Sequence, residues 1–432
     1  MHDVLDPRDQ VPDEAEQLLH SGYPVASLLA DARSAAVSND ASALATVARA
    51  LGGVKRAADW PFSEPDDDAT FAELFEAAPQ LAVDVAELPS RIRGAWLGRC
   101  VANTMGKPIE GLTPAEVEIY LRSVDQWPQT GYVPLLETLP AGVSHLHESA
   151  PFASAGTFED VPRDDDIDWT ILGLAMLEDF GIELTTQDIA AAWLDRLPFT
   201  QTFTAERVAY RNLVRGIPAE QVARVENPYR EWIGALIRAD IFGYTSPGEP
   251  GVAASRALVD ARLSHVQNGI YGELWAAALV SAAFGTTDAR LAIESAIVVV
   301  PPGSRLAASQ RDILQLRSEG GSADDALAWV TRNLGHYNWV HTVNNAALIS
   351  IGLLWGTDFT TSVALTISGG RDTDSSAATV GSVYGALHGV DSIPEELVGT
   401  THVRVRSAVR GFDRVEISEL ASRTLALVKV IA

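Results

Sequence analysis

The first 88 residues carry apolar positions at spacings of three and four between short polar breaks. Four such segments can be separated: DEAEQLLHSG, PVASLLADARSAAV, DASALATVARALGG and DATFAELFEAAP. This spacing puts the apolar side chains on one helix face, so each segment predicts a short helix. The second and third are predicted to form a helical hairpin. SEPDDDA, which leads into the fourth, is predicted to be a polar linker.

From about residue 89 the chain changes to long segments rich in Ala, Leu and Gly. Their apolar positions also follow helical spacing, and the alternation typical of strands is scarce. AIVVVPPG is the main β-like run, and its two prolines make it a helix end as easily as a strand. The pattern predicts an all-α protein with an acidic helical extension, residues 1–88, and a main domain, residues 89–432.

Small residues recur every four positions in two segments near opposite ends of the main domain. Residues four apart share a helix face, so each segment predicts a helix with a groove along which another backbone can approach closely. Glycine inside a helix costs about 1 kcal/mol relative to alanine, so each series needs a packing reason. The two series are Gly94, Gly98, Ala102 and Gly106, and Ala377, Gly381, Gly385 and Gly389.

The composition favours a folded, acidic protein. Of 432 residues, 47% are hydrophobic and the mean hydropathy is +0.07, which allows a sizeable core. The net charge of -25 and the pI near 4.6 argue against nucleic acid or an anionic membrane surface as a partner. Cys100 is the only cysteine, which excludes an intrachain disulfide and a thiolate metal cluster and fits a reducing cytosol.

Targeting and membrane signals are not evident in the sequence. The stretch MHDVLDPRDQVPDEAEQ is acidic and lacks the apolar centre of a secretory signal. The strongest apolar runs, LWAAALVSAAF and AALISIGLLW, are shorter than the roughly 18 to 20 residues that span a bilayer. We therefore expect a soluble, cytoplasmic protein.

Carboxylates are concentrated at three predicted helix ends. One Asp before a helix is normally an N-cap, which needs one side-chain oxygen. Several carboxylates ahead of an apolar segment repel one another unless they are protonated or neutralised by a cation. The residues concerned are Glu110 after the first small-residue series, Asp164, Asp165, Asp166 and Asp168 in DDDID, and Asp372 and Asp374 before the second series.

The local basic residues are too few to balance these acids. Arg163 and Arg371 accompany one aspartate cluster each, which leaves negative charge in excess. Mg²⁺ and Mn²⁺ would neutralise it, because they take oxygen ligands, and the hydroxyls of Thr373 and Ser375 lie beside the later pair. The pattern predicts a site for a hard divalent cation, with simple helix capping as the alternative for any single aspartate.

The histidines give little support to a different mechanism. His341 lies at a predicted helix start with Asn344 and Asn345 one turn later, which makes this group a candidate substrate contact. A buried histidine with satisfied hydrogen bonds is the competing interpretation. The sequence contains no G-x-S-x-G elbow, no phosphate-binding Gly loop with Lys and no H-E-x-x-H pair, which disfavours hydrolase triads, nucleotide kinases and zinc peptidases.

Three segments together resemble the ADP-ribosylglycohydrolase family. They are, in chain order, GAWLGRCVANTMGKPIEG, DDDIDWTILGLAMLE and GGRDTDSSAATVGSVYGALHG, and the resemblance covers about residues 89 to 395. It implies an orthogonal bundle of helices that holds two Mg²⁺ or Mn²⁺ ions in a cleft. The acidic N-terminal extension lies outside it.

The resemblance also implies site residues. The family's metal ligands come from a Thr-Asp-Asp triplet and an Asp-x-Asp-Thr motif, and a glutamate that ends the first motif assists catalysis or gates the metal site in some members. In this chain Asp164 replaces the Thr, Ser375 replaces the last Thr, and Arg371 replaces a glycine before the Asp pair. The implied metal ligands are Asp164, Asp165, Asp166, Asp372, Asp374 and Ser375, and the implied catalytic residues are Glu110, Asp165 and Asp166.

These departures leave the substrate open. Arg371 either pairs with a ligand carboxylate, the slightly favoured alternative, or reaches a substrate phosphate, so it joins His341, Asn344 and Asn345 as a predicted substrate contact. The leading hypothesis is metal-dependent hydrolysis of a ribosyl glycosidic bond that removes ADP-ribose from an ADP-ribosylated substrate, such as a modified protein. The alternatives are hydrolysis of a small ribosyl compound, such as a nucleoside or modified nucleotide, and a noncatalytic ADP-ribose-binding or structural role.

Overall fold

Helices account for most of the molecule. The computed structural model describes residues 4–431, and this part contains 22 α-helices and one short antiparallel sheet of β1 (Arg404–Val405) and β2 (Val415–Glu416). The all-α fold predicted from the helical spacing is confirmed. Among these helices none combines the length and apolar character that crossing a bilayer requires.

The four helices predicted in the N-terminal region all form. They are α1 (Pro7–His20), α2 (Ala26–Val37), α3 (Ala41–Leu51) and α4 (Asp68–Ala77). An aspartate begins α3, where Asp40 accepts hydrogen bonds from the backbone amides of Ser42 and Ala43. The second and third helices pack against each other as the predicted hairpin. With α1 they enclose a small core of their own, separate from the main one.

The segment between α3 and α4 is tied to the body of the protein. Phe71 of α4 belongs to the main core, and Glu64 of the predicted linker is 8% exposed. Glu64 accepts hydrogen bonds from the buried Arg305 at 2.7 and 3.0 Å. The linker prediction is therefore wrong at Glu64, because a buried ion pair anchors it. The domain boundary after residue 88 stays a prediction.

The body contains the other helices and one main hydrophobic core. The run AIVVVPPG is a helix end, because α15 stops at Ile297 and a turn follows. These helices are α5 (Leu88–Gly106), α6 (Pro114–Ser123), α7 (Ala150–Ala153), α8 (Asp165–Phe180), α9 (Thr186–Arg196), α10 (Thr204–Val214), α11 (Ala219–Val222), α12 (Asp240–Tyr244), α13 (Pro250–Ala261), α14 (Asn268–Ala283), α15 (Ala289–Ile297), α16 (Arg305–Ser318), α17 (Ala323–Leu334), α18 (Thr342–Trp355), α19 (Phe359–Ser368), α20 (Thr373–His388), α21 (Glu395–Val398) and α22 (Ile417–Ile431).

Candidate functional site

The two small-residue series pack directly against each other. A Cβ atom built on Gly385 of α20 would lie 2.1 Å from the carbonyl oxygen of Gly94 in α5, and one built on Gly106 would lie 2.4 Å from that of Thr373. The groove predicted for each helix is confirmed, and each groove receives the other helix. The pairing is antiparallel, so the end of α5 meets the start of α20. This brings the first acidic segment to the third.

The second acidic segment is held at the same place by side chains of α5. Arg99 is fully buried and donates to the carbonyl oxygen of Asp166 at 2.8 and 3.1 Å. Its guanidinium also lies 2.9 Å from Asp240. One turn later Asn103 donates to Asp164 Oδ1 at 3.2 Å and to Asp166 Oδ2 at 3.0 Å. Because α8 starts here, its first aspartates face those of α20.

The three segments form two carboxylate triads. Glu110, Asp372 and Asp374 make up one, and Asp164, Asp166 and Asp374 make up the other. Within each triad the ligand oxygens lie within 4.8 Å of one another, and Asp374 is common to both. Five carboxylates from three distant parts of the chain therefore converge around a shared aspartate.

Lys107 lies in the middle of this cluster, although the carboxylate pattern of the sequence did not point to it. Its Nζ lies 2.9 Å from Asp374 Oδ2 and 3.2 Å from Glu110 Oε2, and it also pairs with Asp164. Burial opposes the charge, but the three carboxylates outweigh burial and hold the pKa of Lys107 well above its usual value. A signal was available, because Lys107 lies three residues before Glu110 and such residues are neighbours on one turn.

The remaining oxygens fit a hard divalent cation. Asp166 Oδ1, Asp374 Oδ1 and Asn103 Oδ1 are buried without a hydrogen-bond partner among the described residues. Burial and the neighbouring carboxylates raise the pKa of Asp166 well above its usual range, which marks negative charge that Lys107 alone does not balance. Oxygen-only donors with surplus negative charge are what Mg²⁺ and Mn²⁺ take as ligands. The metal prediction is thus compatible with the geometry.

Asp165 differs from its neighbours in being half-buried. Burial, followed by the charge of Asp164, raises the pKa of Asp165 to about 7. It takes part in neither triad. A carboxyl group with such a pKa in the metal-free protein can accept or hold a proton near neutral pH, and both predicted roles of Asp165, metal ligand and catalytic residue, stay predictions.

Asp168, the last aspartate of DDDID, has a structural environment. It is fully buried and receives hydrogen bonds from Arg163 Nε at 2.7 Å, Ser407 Oγ at 2.6 Å and the Ala408 amide at 3.0 Å. These contacts tie the start of α8 to the C-terminal loop. The direct partner of Arg163 is Asp168, and its charge also helps to hold the pKa of Asp164 below its usual range, after the larger effect of Lys107.

Capping explains one aspartate in the second segment but not the one expected in the third. Asp164 is the N-cap of α8, since its side chain accepts the Asp166 amide at 3.0 Å. Asp372 is the N-cap of α20 by position, yet its side chain makes no capping bond. Ser375, a predicted ligand, donates to Asp166 Oδ2 at 3.3 Å. Asp372 therefore has a carboxylate that helix capping does not use.

Glu110 has a second partner that the sequence did not reveal. His147 Nδ1 lies 3.1 Å from Glu110 Oε2, and the imidazole is about one-third exposed. Burial lowers the pKa of His147, and burial together with Asp374 raises that of Glu110 well above its usual value. His147 lies in a loop whose sequence has no periodic signal, so only the tertiary contact identifies it.

Arg371 does not form the ion pair that the sequence analysis favoured. Its backbone adopts φ +70°, and its Nη1 donates to the carbonyl oxygen of Gly369 at 2.8 Å. Within residues 4–431 the structure contains no ion pair of Arg371, and burial lowers its pKa. The ion-pair alternative is wrong because the turn directs the guanidinium back to its own segment. The alternative that it reaches a substrate phosphate stays a prediction.

The three residues predicted at the start of α18 are fully buried. His341 caps the helix by accepting the Val343 amide at 3.2 Å, and its Nε2 lies 3.6 Å from Glu231. Asn344 and Asn345 donate to backbone carbonyls of the preceding loop. Asn345 also accepts a hydrogen bond from Ser376 of α20. Their polar groups support the framework behind the triads, and their role as substrate contacts stays a prediction.

Comparison with known proteins agrees with the resemblance in the motifs. The ADP-ribosylglycohydrolase family matches residues 84–431. The match to a solved structure described as "ADP-ribosylglycohydrolase-related protein complex" covers 81% of this chain and 100% of that chain. The sequence identity is 18% and the TM-score is 0.47. No curated protein sequence matches.

Proposed function

Because the chain belongs to the ADP-ribosylglycohydrolase family, we propose that it is a divalent-metal-dependent hydrolase that removes ADP-ribose from an ADP-ribosylated protein. The observation that carries the proposal is the pair of carboxylate triads that share Asp374, with buried oxygens left without partners. An aspartate with a purely structural role has both carboxylate oxygens in hydrogen bonds, as Asp168 has. Asp166 Oδ1 and Asp374 Oδ1 lack such a bond among the described residues and are available to a ligand.

The proposed metal ligands are the members of the two triads, with Ser375 as a neighbouring hydroxyl. When bound, Mg²⁺ or Mn²⁺ supplies Lewis acidity toward sugar hydroxyls and water. Asn103 orients two of the ligands, because its amide donates to both Asp164 and Asp166. A fixed ligand set of this kind favours one position for the ribose.

Asp165 is the proposed general base. It is the most exposed carboxylate of its segment and belongs to neither triad, so it remains available to take a proton from water. Cleavage of a ribosyl bond builds positive charge at the anomeric carbon, which the surrounding carboxylates stabilise. Glu110 and Asp166, the other predicted catalytic residues, contribute to that field.

The direct test is a hydrolysis assay with a panel of substrates. ADP-ribosyl-arginine peptide, ADP-ribosyl-serine peptide and nucleosides are incubated with the protein in Mg²⁺ or Mn²⁺, with and without EDTA, and free ADP-ribose or ribose is measured. We expect release from an ADP-ribosylated peptide that stops in EDTA. Asp374→Asn should lower turnover by at least about 100-fold, since both triads lose a charge. Asp324→Asn, an exposed position on α17, is the matched control.

Three other outcomes of this assay would contradict different parts of the proposal. Turnover that EDTA does not affect contradicts the metal requirement. Turnover of nucleosides alone assigns a small ribosyl substrate, and tight ADP-ribose binding without turnover assigns a noncatalytic role. Either of the last two results replaces the proposed reaction while leaving the metal site to be tested by metal binding alone.

A further inference from the structure

A cavity of about 790 Å³ lies between the N-terminal helices and the body. None of its lining residues belongs to the acidic cluster. One wall is apolar and comes from α1 and α3. It is formed mainly by Val11, Leu18, Leu44, Ala45, Ala48 and Leu51. The volume is that of pockets which take a small organic molecule.

Arginines also line the cavity, four of them from residues 211–230 of the body and one from the segment after α3. Arg230 is held by Glu14 at 2.5 and 3.1 Å, so it fastens α1 to the body. Arg211 and Arg215 share one carboxylate, that of Glu226, at 3.4 and 3.1 Å. The five arginines that line the cavity are Arg56, Arg211, Arg215, Arg224 and Arg230, and the lining carboxylates are those of Glu14 and Glu226.

Among the described residues, Arg56 is the arginine of the cavity lining that forms no ion pair. Its guanidinium lies over the rings of Tyr23 at 5.3 Å and Trp60 at 5.9 Å, which position it by cation–π contact. Its Nε is buried with no hydrogen-bond partner in the described part of the chain. Arg224 pairs with Asp66. In the direct ion pairs of the described residues, five guanidinium groups thus meet three carboxylates: Arg211 and Arg215 share one, and Arg56 has none.

This excess of guanidinium groups over paired carboxylates is unusual for this molecule. The chain carries a net charge of -25, so its surface as a whole repels anions. A local positive charge beside an apolar wall is complementary to a molecule with an anionic end and an apolar body. Guanidinium groups bind carboxylate, phosphate and sulfonate oxygens through charge-assisted hydrogen bonds.

We propose that this cavity is a binding site for a small amphipathic oxyanion, separate from the triads. The anionic head contacts Arg56 and Arg215, and the apolar body lies against α1 and α3. Arg230 and Glu14 fasten α1 to the body, so the occupant contacts both the N-terminal helices and the body. The site takes its specificity from charge on one side and from apolar area on the other.

The test uses two fluorescent probes with similar aromatic bodies. Anilinonaphthalene sulfonate carries an anionic head, and N-phenylnaphthylamine lacks it. We expect the full-length protein to bind the sulfonate saturably with one equivalent and the neutral probe at least about tenfold more weakly. Arg56→Gln should weaken sulfonate binding about tenfold, the loss of one charge-assisted hydrogen bond, and leave neutral-probe binding unchanged.

Two further variants keep the result interpretable. Ala45→Phe, on an exposed position of α3 that lines the cavity, should reduce binding of both probes by filling the apolar side. Arg332→Gln, an exposed arginine outside the cavity, should change neither. Equal affinity for the two probes overturns the proposal, as does sulfonate binding that survives both Arg56→Gln and Ala45→Phe. Unfolding curves that match the wild-type protein exclude a folding defect.

Discussion

At the scale of single residues, Lys107 partly neutralises the carboxylates of the candidate site. Six carboxylates, those of Glu110, Asp164, Asp165, Asp166, Asp372 and Asp374, surround or adjoin one ammonium group. Lys107 contacts a member of each triad and their common aspartate. The ammonium therefore stabilises the metal-free protein and at the same time competes with a metal ion for the same oxygens.

Replacing Lys107 separates these two effects. Lys107→Met keeps the length of the side chain and removes the charge, so we expect the metal-free protein to lose about 3 kcal/mol of unfolding free energy, because buried carboxylates lose their partner. Urea unfolding in EDTA measures this. The same variant should bind Mg²⁺ or Mn²⁺ about tenfold more tightly by calorimetry, since no ammonium has to be displaced.

Lys55→Met is the matched control, because Lys55 is exposed. It should alter neither the unfolding free energy nor the metal affinity. Weaker metal binding by Lys107→Met would show that the ammonium supports the metal site instead of competing with it.

At the scale of elements, the contact between α5 and α20 sets the spacing of the site. Asn103 lies in the last turn of α5, Lys107 directly follows that helix, and Asp374 lies in the first turn of α20. The helices approach so closely because their facing positions lack side chains beyond a methyl group. If a methyl group were added between the two helices, their axes would move apart, and these polar groups would separate with them.

A single methyl group tests this contact. A Cβ on Gly381 would lie 2.1 Å from the carbonyl oxygen of Gly98 and 2.7 Å from Ala102 Cβ. Alanine favours the helix by about 1 kcal/mol, but overpacking against backbone costs more, so Gly381→Ala should destabilise the protein by about 2 kcal/mol net. Chemical denaturation measures the loss, and metal affinity should fall with it.

Gly52→Ala provides the comparison for this substitution. The nearest atom to its added Cβ is the Arg49 carbonyl oxygen at 3.7 Å, so no neighbour has to move. We expect a change within about 0.5 kcal/mol. If both variants lose the same stability, close helix packing is not the reason for the small-residue series.

At the scale of the whole molecule, a buried charge network joins the N-terminal region to the body. Arg305 of α16 binds Glu64 from the segment before α4 and Glu231 from the body, with its nearest contacts at 2.7 Å to each. The same guanidinium donates to the carbonyl oxygen of His20 in α1. One arginine thus connects three parts of the chain.

Removing this arginine should loosen the connection. Arg305→Gln leaves the carboxylates of Glu64 and Glu231 buried without their cation, so we expect a loss of about 3 to 5 kcal/mol in unfolding free energy. Arg311→Gln, on the exposed side of the same helix, should cost less than about 1 kcal/mol. Denaturant titration measures both, and equal effects would contradict the structural role assigned to the network.

The sequence by itself determined the helices and much of the acidic cluster. Helical spacing predicted α1 to α4 and the all-α body, because the period of apolar residues along a helix is local information. The small-residue series predicted close backbone approach for the same reason. The acidic segments that contain Asp166 and Asp374 could be identified because several carboxylates at apolar helix ends exceed what capping needs.

Only the tertiary structure decided which groups meet. The period of a helix shows which face is buried but not which partner covers it, so the contact of α5 with α20 required the fold. Lys107 and His147 became part of the site through contacts with distant segments, and Glu64 changed from a linker residue to a buried anchor. Arg371 contacts the backbone of its own segment because its φ is positive, and the sequence did not predict that backbone conformation.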